Sequence, residues 1–137
     1  MKKIAIVDEN QDCLGVKGGS LSQETLKKQV QCFSKAAGLL SYLKQLKQEG
    51  LFEKFPDYVL IDIHLPDMDA ITFLNSFEEL VANIETPEVF ILSSSGSKKS
   101  RDLAMQYPFV SAYLKKPVSA DLIEVLIAGR GVDDSPH

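Results

Sequence analysis

Several residue types that mark particular classes of protein are scarce in this chain of 137 residues. It has no tryptophan and only two cysteines, Cys13 and Cys32, which form no CxxC motif and have no histidine pair at ligand spacing. The sequence therefore indicates neither a disulfide scaffold nor a zinc site. We expect both cysteines to be buried, unreactive thiols.

No run of hydrophobic residues is long. The N-terminal sequence MKKIAIVDEN reaches acidic residues after four apolar ones, which is too few for the apolar region of a signal peptide. No other run approaches the roughly 20 apolar residues that a membrane-spanning helix needs. We therefore expect a cytoplasmic protein that does not bind membranes.

Positive charge is also in short supply. The chain has 15 lysines and arginines against 19 aspartates and glutamates, which gives a formal net charge of −4 at pH 7. A surface that binds nucleic acid is usually more basic, so we expect no direct nucleic-acid partner. The phosphate-binding pattern G-x-x-x-x-G-K-[ST] is absent as well, which argues against nucleotide hydrolysis.

What the chain does contain is typical of one globular domain, with 45% hydrophobic and 25% charged residues. Short apolar runs at 4–7, 58–61 and 89–92 each stop abruptly at a polar residue. Because these runs do not alternate with polar residues, they predict strands of a parallel sheet that are buried on both faces. The less apolar segments 30–33 and 110–114 predict edge strands.

Helical patterns lie between the predicted strands. Ser34 is suited to cap a helix that has leucines at helical spacing and that Gly50 ends. Asp69 is suited to cap a second helix, whose apolar stripe runs over 71–84 before Pro87.

Three further segments complete the helical pattern. Residues 97–107 are a short, polar candidate, and Ser119 opens a final helix that ends before Gly129. We expect a late-starting or broken helix within 12–29, because each of its three glycines costs roughly 1 kcal/mol relative to alanine in a helix interior. Strands that alternate with helices predict a parallel sheet covered on both faces, here one α/β domain over 1–129 followed by a tail at 130–137.

Polar side chains follow the ends of the predicted strands. Asp8 and Glu9 follow the first strand, Asp62 ends the third, Ser93 ends the fourth and Lys116 follows the fifth. In an open α/β sheet, ligands bind beyond the carboxyl ends of the strands, so we expect these side chains to meet at one edge. Three neighbouring carboxylates need a counter-ion, and oxygen ligands without thiolate or imidazole favour Mg²⁺.

The same group of side chains suits the transfer of a phosphoryl group. The cation and Lys116 would offset the negative charge on the phosphoryl oxygens, and Ser93 would donate a hydrogen bond to one of them. A carboxylate such as that of Asp62 could then act as the nucleophile and form an acyl phosphate.

Four motifs, in this order and spacing, resemble the receiver domains of two-component response regulators, the fold of the bacterial chemotaxis regulator. They are IVDE at 6–9, LIDIHLPDMD at 60–69, ILSSS at 91–95 and YLKKP at 113–117. The resemblance runs over 3–128. It implies a doubly wound, flavodoxin-like fold, with a five-stranded parallel sheet in the order 2-1-3-4-5 and helices on both faces.

The resemblance also implies roles for individual residues. Asp62 would be the phosphoacceptor. Asp8, Glu9 and Asp62 would hold Mg²⁺ together with the main-chain carbonyl of His64, and Glu9 stands where the family more commonly has aspartate. The side chain of His64, two positions beyond Asp62, is a candidate for influencing attack of water on the phosphoryl group.

Three more positions match functional positions of the family. Ser93 stands at the Thr/Ser switch position, Lys116 at the lysine that contacts the phosphoryl group, and Tyr113 at the aromatic switch position. Asp67 and Asp69 have structural interpretations instead. Asp67 is expected to be a turn residue, and Asp69 a helix cap.

The function that the resemblance implies is that of a stand-alone phosphorelay response regulator. A histidine kinase or a histidine phosphotransfer protein would supply the phosphoryl group. A face made by the fourth helix, the fifth strand and the fifth helix would then change its affinity for a downstream protein. Such a domain assists its own Mg²⁺-dependent phosphorylation and dephosphorylation and is otherwise not an enzyme.

Two alternatives belong to other classes of function. The chain could be a receiver-like interaction module that signals without phosphorylation, although the complete set of acids with its lysine argues against this. An aspartyl-phosphate hydrolase would need its nucleophile after the first strand and a second acid two residues on. Here Asp8 is followed by Glu9 and Asn10.

Overall fold

The computed structural model describes residues 2–8, 22–64, 67–93, 98–115 and 120–128. Within them, five strands alternate with five α-helices, and a short 3₁₀ helix follows the second α-helix. The strands are β1 (Ile4–Val7), β2 (Val30–Phe33), β3 (Tyr58–Asp62), β4 (Glu88–Ser93) and β5 (Val110–Lys115). The α-helices are α1 (Gln23–Gln29), α2 (Ala36–Glu49), α3 (Ala70–Leu80), α4 (Lys98–Ala104) and α5 (Ala120–Ile127), and the 3₁₀ helix is Phe52–Lys54.

The strands form one parallel sheet in the order β2-β1-β3-β4-β5. The predicted doubly wound α/β fold and its strand order are therefore confirmed, and each strand lies within one residue of its predicted bounds. Every residue of β1 and β3 is buried, as expected for strands covered by helices on both faces. The edge strands β2 and β5 are more exposed.

Two hydrophobic cores lie on opposite faces of the sheet. The first is formed against α2 and α3, and it includes Leu39, Leu43, Phe73, Leu74 and Phe77, all of which are fully buried. The second is formed against α5, and it includes Ile6, Leu60, Phe90, Ile123 and Leu126. The helical spacing of the leucines in α2 and of the aromatic residues in α3 therefore serves packing.

A β-bulge interrupts the pairing of β4 with β5. Val89 lies opposite Val110, but Phe90 lies opposite Ala112, so Ser111 is an extra residue on β5. Beyond the bulge the pairing is regular, and Tyr113 lies opposite Ile91. Tyr113 packs against the first core, on the face covered by α2 and α3.

The ends of α2 confirm one prediction and correct another. Gly50 ends the helix in a left-handed conformation with φ 71°, as predicted for a glycine C-cap. The predicted cap at Ser34 is wrong, because Lys35 occupies the N-cap position and its side chain makes no capping hydrogen bond. The carboxylate of Asp67 caps the helix instead, accepting hydrogen bonds from the main-chain N–H groups of Ala36 and Ala37 at 3.2 and 2.9 Å.

Asp69 is the N-cap of α3, as predicted, and its Oδ1 accepts a hydrogen bond from the N–H of Thr72 at 2.7 Å. The helix ends at Leu80, earlier than the apolar stripe predicts. The stripe continues beyond the helix because Val81 and Ile84 still pack against the first core from the following turns. Asn83, with φ 70°, places that segment in a left-handed conformation that no helix can continue through.

Among the remaining helices, α5 ends at Ile127, before Gly129 as predicted, and its predicted cap Ser119 lies outside the described residues. The helix α1 covers Gln23–Gln29, at the end of the segment where a late-starting or broken helix is expected, and residues 12–21 of that segment lie outside the described residues. The helix α4 ends at Ala104, before the predicted end at Tyr107. In the part of the chain that the structure describes, no helix combines the length and the apolar character needed to cross a membrane.

One expectation about the cysteines is wrong. Cys32, on β2, is disulfide-bonded, so it is not an unreacted thiol. Cys13 lies outside the described residues. Local sequence spacing could not reveal this bond, because it depends on how the fold brings residues together.

Candidate functional site

The carboxyl ends of β1, β3 and β4 bring three of the predicted site residues together. Val7 on β1 and Ile61 on β3 are register partners, and Asp8 and Asp62 are the residues that follow them. Since β3 lies between β1 and β4, Asp62 is flanked on its other side by the end of β4, where Ser93 follows its register partner Leu92.

Asp62 and Ser93 are unusual in their burial. They are 6% and 2% exposed, and among the described residues they are the buried polar or charged ones. Burying a carboxylate costs free energy unless other groups compensate it. The burial of Asp62 therefore indicates a functional role. Asp8, beside them, is half-buried, and its main-chain N–H donates to the carbonyl of Phe33 on β2 at 3.0 Å.

The first residues of the loop after β3 are hydrogen-bonded to β4 and to Asp62. The N–H of Ile63 donates to the carbonyl of Leu92 at 2.9 Å, which continues the sheet one residue past β3. The N–H of His64 donates to Oδ1 of Asp62, also at 2.9 Å. His64 further forms an isolated antiparallel bridge with Asp69, while its side chain is exposed. The main chain at His64 is therefore fixed, and its imidazole faces solvent.

Asp67 lies on the same loop after β3, five positions beyond Asp62. The sequence suggested only a turn residue, whereas the structure shows its carboxylate capping α2. The sequence hints at this contact only through the lack of a capping side chain at the start of α2. Lys35, at the start of α2, has no side-chain oxygen that could accept hydrogen bonds from the first turn of the helix.

The pKa of Asp69 is lowered from its ordinary value of 3.8. The main cause is the hydrogen bond from the main-chain N–H of Thr72, which stabilises the ionised carboxylate, and the Thr72 side chain adds to the effect. Burial acts weakly in the other direction. Asp69 is therefore a charged helix cap over the whole neutral range.

Tyr113 lies on β5 with its ring against the first core. Its hydroxyl oxygen is buried and has no hydrogen-bond partner among the described parts of the structure. A buried hydroxyl without a partner costs free energy. Packing of the ring against the first core, and not a polar contact, therefore accounts for the position of the Tyr113 side chain. Two other predicted site residues, Glu9 and Lys116, lie outside the described residues, and their roles stay predictions.

The donor atoms at this edge fit a hard divalent cation. Within the described residues no group of three or more histidine, cysteine, aspartate and glutamate side chains is arranged to hold a metal, and Glu9 is not among those residues. Asp8 and Asp62 supply two carboxylates from adjacent strand ends. Mg²⁺ is usually held by one or two carboxylates with water in its other positions, so these residues suit it.

A five-stranded parallel sheet in this order, with acidic residues after its central strands, defines a CheY-like α/β fold. The chain belongs to the response regulator receiver domain family, whose model matches residues 4–128.

Solved structures share the fold over nearly the whole chain. A CheY-like receiver domain protein from Methanospirillum hungatei is 21% identical, with a TM-score of 0.64, over 94% of this chain and 93% of that one. The beryllofluoride-activated NtrC4 receiver domain dimer is 20% identical, with a TM-score of 0.67, over 98% and 100%. The phosphorylated cyanobacterial phytochrome response regulator RcpA is 21% identical, with a TM-score of 0.61, over 97% and 91%. At these identities the likeness shows the fold.

A curated relative is similar over a shorter stretch. It is a protein-glutamate methylesterase/protein-glutamine glutaminase from Chromobacterium violaceum, 38% identical over 68 residues. The matched region is 48% of this chain but only 18% of that protein. This likeness therefore does not extend to most of the methylesterase.

Proposed function

We propose that this chain is the receiving partner in a two-component phosphorelay. Asp62 accepts a phosphoryl group from a phosphohistidine on a histidine kinase or a histidine phosphotransfer protein. The observation that carries the proposal is the position of Asp62: a buried carboxylate at the end of the central strand, between Asp8 and Ser93. Membership of the receiver family supports it.

In this proposal a carboxylate oxygen of Asp62 forms a bond to phosphorus while the bond from phosphorus to the imidazole nitrogen breaks. The electron pair of the broken bond goes to the partner's imidazole. The hydrogen bond from the N–H of His64 to Oδ1 of Asp62 orients the nucleophile. The hydroxyl of Ser93 and the ammonium of Lys116 stabilise the charge on the phosphoryl oxygens.

Asp8, Glu9, Asp62 and the main-chain carbonyl of His64 would hold Mg²⁺. When bound, the ion supplies positive charge against the phosphoryl oxygens and reduces the repulsion between the carboxylates. The ligand set is supported by the register of β1 and β3, because Asp8 and Asp62 follow residues that are paired in the sheet.

The output would be a change in protein binding. Ser93 and Tyr113 are the switch residues, and the face formed by α4, β5 and α5 contacts a downstream protein. A complete shift of a two-state population from 1:99 to 99:1 requires about 5.5 kcal/mol of preference for one state. In this proposal the domain covers 1–129, works in the cytoplasm, contacts neither membrane nor nucleic acid directly, and catalyses only its own phosphorylation and dephosphorylation.

Acetyl phosphate with Mg²⁺ tests the proposal without a known kinase. We expect intact-protein mass spectrometry to show the addition of one phosphoryl group to the wild-type protein, and EDTA to prevent it. Asp62→Asn should take none, because the amide is not a nucleophile. Asp102→Asn, at an exposed position on α4, is the matched control and should be modified like the wild type.

Two results would contradict the proposal. One is a wild-type protein that gains no mass from acetyl phosphate and shows no spectral change with beryllofluoride and Mg²⁺. That result would support the interaction module that needs no phosphorylation. The other is Asp62→Asn modified to the same extent as the wild type, which would place the phosphoryl group on another residue.

A further inference from the structure

The corner between β2 and α2 contacts the candidate site from two sides. On one side, the carbonyl of Phe33 accepts a hydrogen bond from the N–H of Asp8 at 3.0 Å. On the other side, the N–H groups of Ala36 and Ala37 donate to the two carboxylate oxygens of Asp67 at 3.2 and 2.9 Å. One short segment, 33–37, is therefore bonded both to a proposed Mg²⁺ ligand and to the loop after the phosphoacceptor.

The first N–H groups of α2 are strong hydrogen-bond donors to the carboxylate of Asp67. The first N–H groups of a helix have no partner within the helix, and they carry the positive end of its dipole. Lys35, the N-cap residue, leaves these groups without a side-chain acceptor of its own. A carboxylate that takes two of them makes charge-assisted hydrogen bonds, which are stronger than neutral ones.

The loop that Asp67 belongs to carries the main chain of His64. At its first residues the loop is bonded to Asp62 through the N–H of His64, and the bridge between His64 and Asp69 closes it. Asp67 lies inside that closed segment, and its carboxylate bonds the segment to a separate element, α2. The side chain of Asp67 is exposed, so core packing does not hold it there.

We propose that Asp67 is a positioning residue for the Mg²⁺ site. Its two hydrogen bonds to α2 set the position of the loop that presents the main-chain carbonyl of His64, and its carboxylate does not itself bind the cation. The inference rests on the proposed function, because it assigns a task to Asp67 in the same site. It adds a residue that the sequence suggested was only a turn.

Two substitutions remove the negative charge of Asp67 but differ in how many of its hydrogen bonds they remove. Asp67→Ala removes both acceptors, so we expect the Mg²⁺ concentration at half-saturation to rise roughly tenfold, as is typical when a residue that supports a metal ligand is lost. Asp67→Asn removes the charge but keeps one oxygen acceptor. Its amide nitrogen cannot accept the second hydrogen bond, so the half-saturation concentration should rise, but less than in Asp67→Ala.

The experiment has one readout with Mg²⁺ and one without it. Titration with MgCl₂, followed by the amide NMR signals of 62–64, gives the half-saturation concentration of each variant. Amide hydrogen exchange in the metal-free proteins reports the bonds directly. Asp67→Ala should speed exchange at Ala36, Ala37 and His64, and Asp67→Asn should speed it less.

A control variant shows that loss of a helix cap alone is not sufficient. Ser22→Ala removes the hydrogen bond from the N–H of Thr25 to the Ser22 hydroxyl at the start of α1, which is 3.2 Å long. This change should leave the half-saturation concentration of Mg²⁺ unchanged. Asp67→Ala with a wild-type half-saturation concentration would overturn the inference, as would Asp67→Asn with a loss equal to that of Asp67→Ala.

Failure of this inference can be told from failure of the proposed function. If the wild type is phosphorylated on Asp62 but Asp67→Ala binds Mg²⁺ normally, the positioning role is wrong and the function stands. If the wild type binds Mg²⁺ and Asp67→Ala weakens that binding, but Asp62 is never phosphorylated, the positioning role stands and the function is wrong. At saturating Mg²⁺, Asp67→Ala should still be phosphorylated to the wild-type extent.

Discussion

The main-chain N–H of His64 donates a hydrogen bond to Oδ1 of Asp62 over 2.9 Å, while the side chain of His64 is exposed. The main chain and the side chain of His64 therefore contribute to the site in different ways. The main chain orients the proposed nucleophile, and any amino acid other than proline could do so. The imidazole is exposed to solvent, from which water would reach the acyl phosphate proposed on Asp62.

We expect His64→Ala to change how long the phosphoryl group stays on Asp62. Loss of the ring should open the approach to water and shorten the lifetime between about two- and tenfold, a barrier change of up to about 1.4 kcal/mol. The extent of phosphorylation at saturating donor should not change, because the main-chain bond remains. Mass spectrometry after removal of the donor measures the decay. Gln106→Ala, exposed after α4, is the control, and an unchanged lifetime in His64→Ala would refute the prediction.

The cap of α3 should contribute measurably to stability. Asp69→Ala removes the acceptor for the N–H of Thr72, and loss of such a cap costs about 1 kcal/mol. Urea unfolding followed by circular dichroism measures the change in the free energy of unfolding. Asp69→Asn keeps an oxygen acceptor and should lose less. Equal losses in the two variants would show that the charge matters more than the hydrogen bond.

The same cap predicts a pH dependence. Hydrogen bonding to Thr72 lowers the pKa of Asp69 below its ordinary value of 3.8, so the unfolded chain takes up a proton at a higher pH than the folded chain does. The stabilisation is then fully present above pH 3.8, and it is lost as the pH falls through the lower folded pKa. The stability difference between wild type and Asp69→Ala should therefore shrink at pH values below 3.8. Urea unfolding at neutral and acidic pH tests this, and a difference that stays constant would contradict it.

Tyr113→Phe should stabilise the unphosphorylated domain. The Tyr113 hydroxyl is buried without a partner in the described structure, so its removal should raise the free energy of unfolding by about 1 kcal/mol. Tyr107→Phe is the matched control, because the Tyr107 hydroxyl donates to Oδ1 of Asn75 and its loss should destabilise the protein by roughly the same amount. A destabilised Tyr113→Phe, measured by urea unfolding, would mean that the hydroxyl has a partner after all.

Most of the fold could be predicted because its signals are local. Each of the strands β1, β3 and β4 contains a short apolar run that stops at a polar residue. Gly50 and Asp69 end or begin helices through contacts with residues a few positions away. The cap of α2 was not predictable in this way. Asp67 is 31 residues from Ala36 in the sequence, so only the folded structure brings the acceptor to the helix.

The site was predictable in part for a related reason. Parallel strands end at a common edge, so Asp8, Asp62 and Ser93 could be expected together from the positions of three apolar runs. The Tyr113 hydroxyl, which has no hydrogen-bond partner among the described residues, and the disulfide bond of Cys32 depend on packing and on three-dimensional proximity. No spacing in the sequence encodes either of them.

The extra residue in β5 decides which side of the sheet receives the tyrosine ring. Val110 and Tyr113 are an odd number of positions apart, and in an unbroken strand such residues point to opposite sides. Here both belong to the α3 side, because Ser111 is absorbed by the bulge and restores the alternation. Straight pairing of the same sequence would turn the ring toward α5. Deletion of Ser111 would therefore shorten β5 and leave the Tyr113 ring on the side of the sheet that it occupies now.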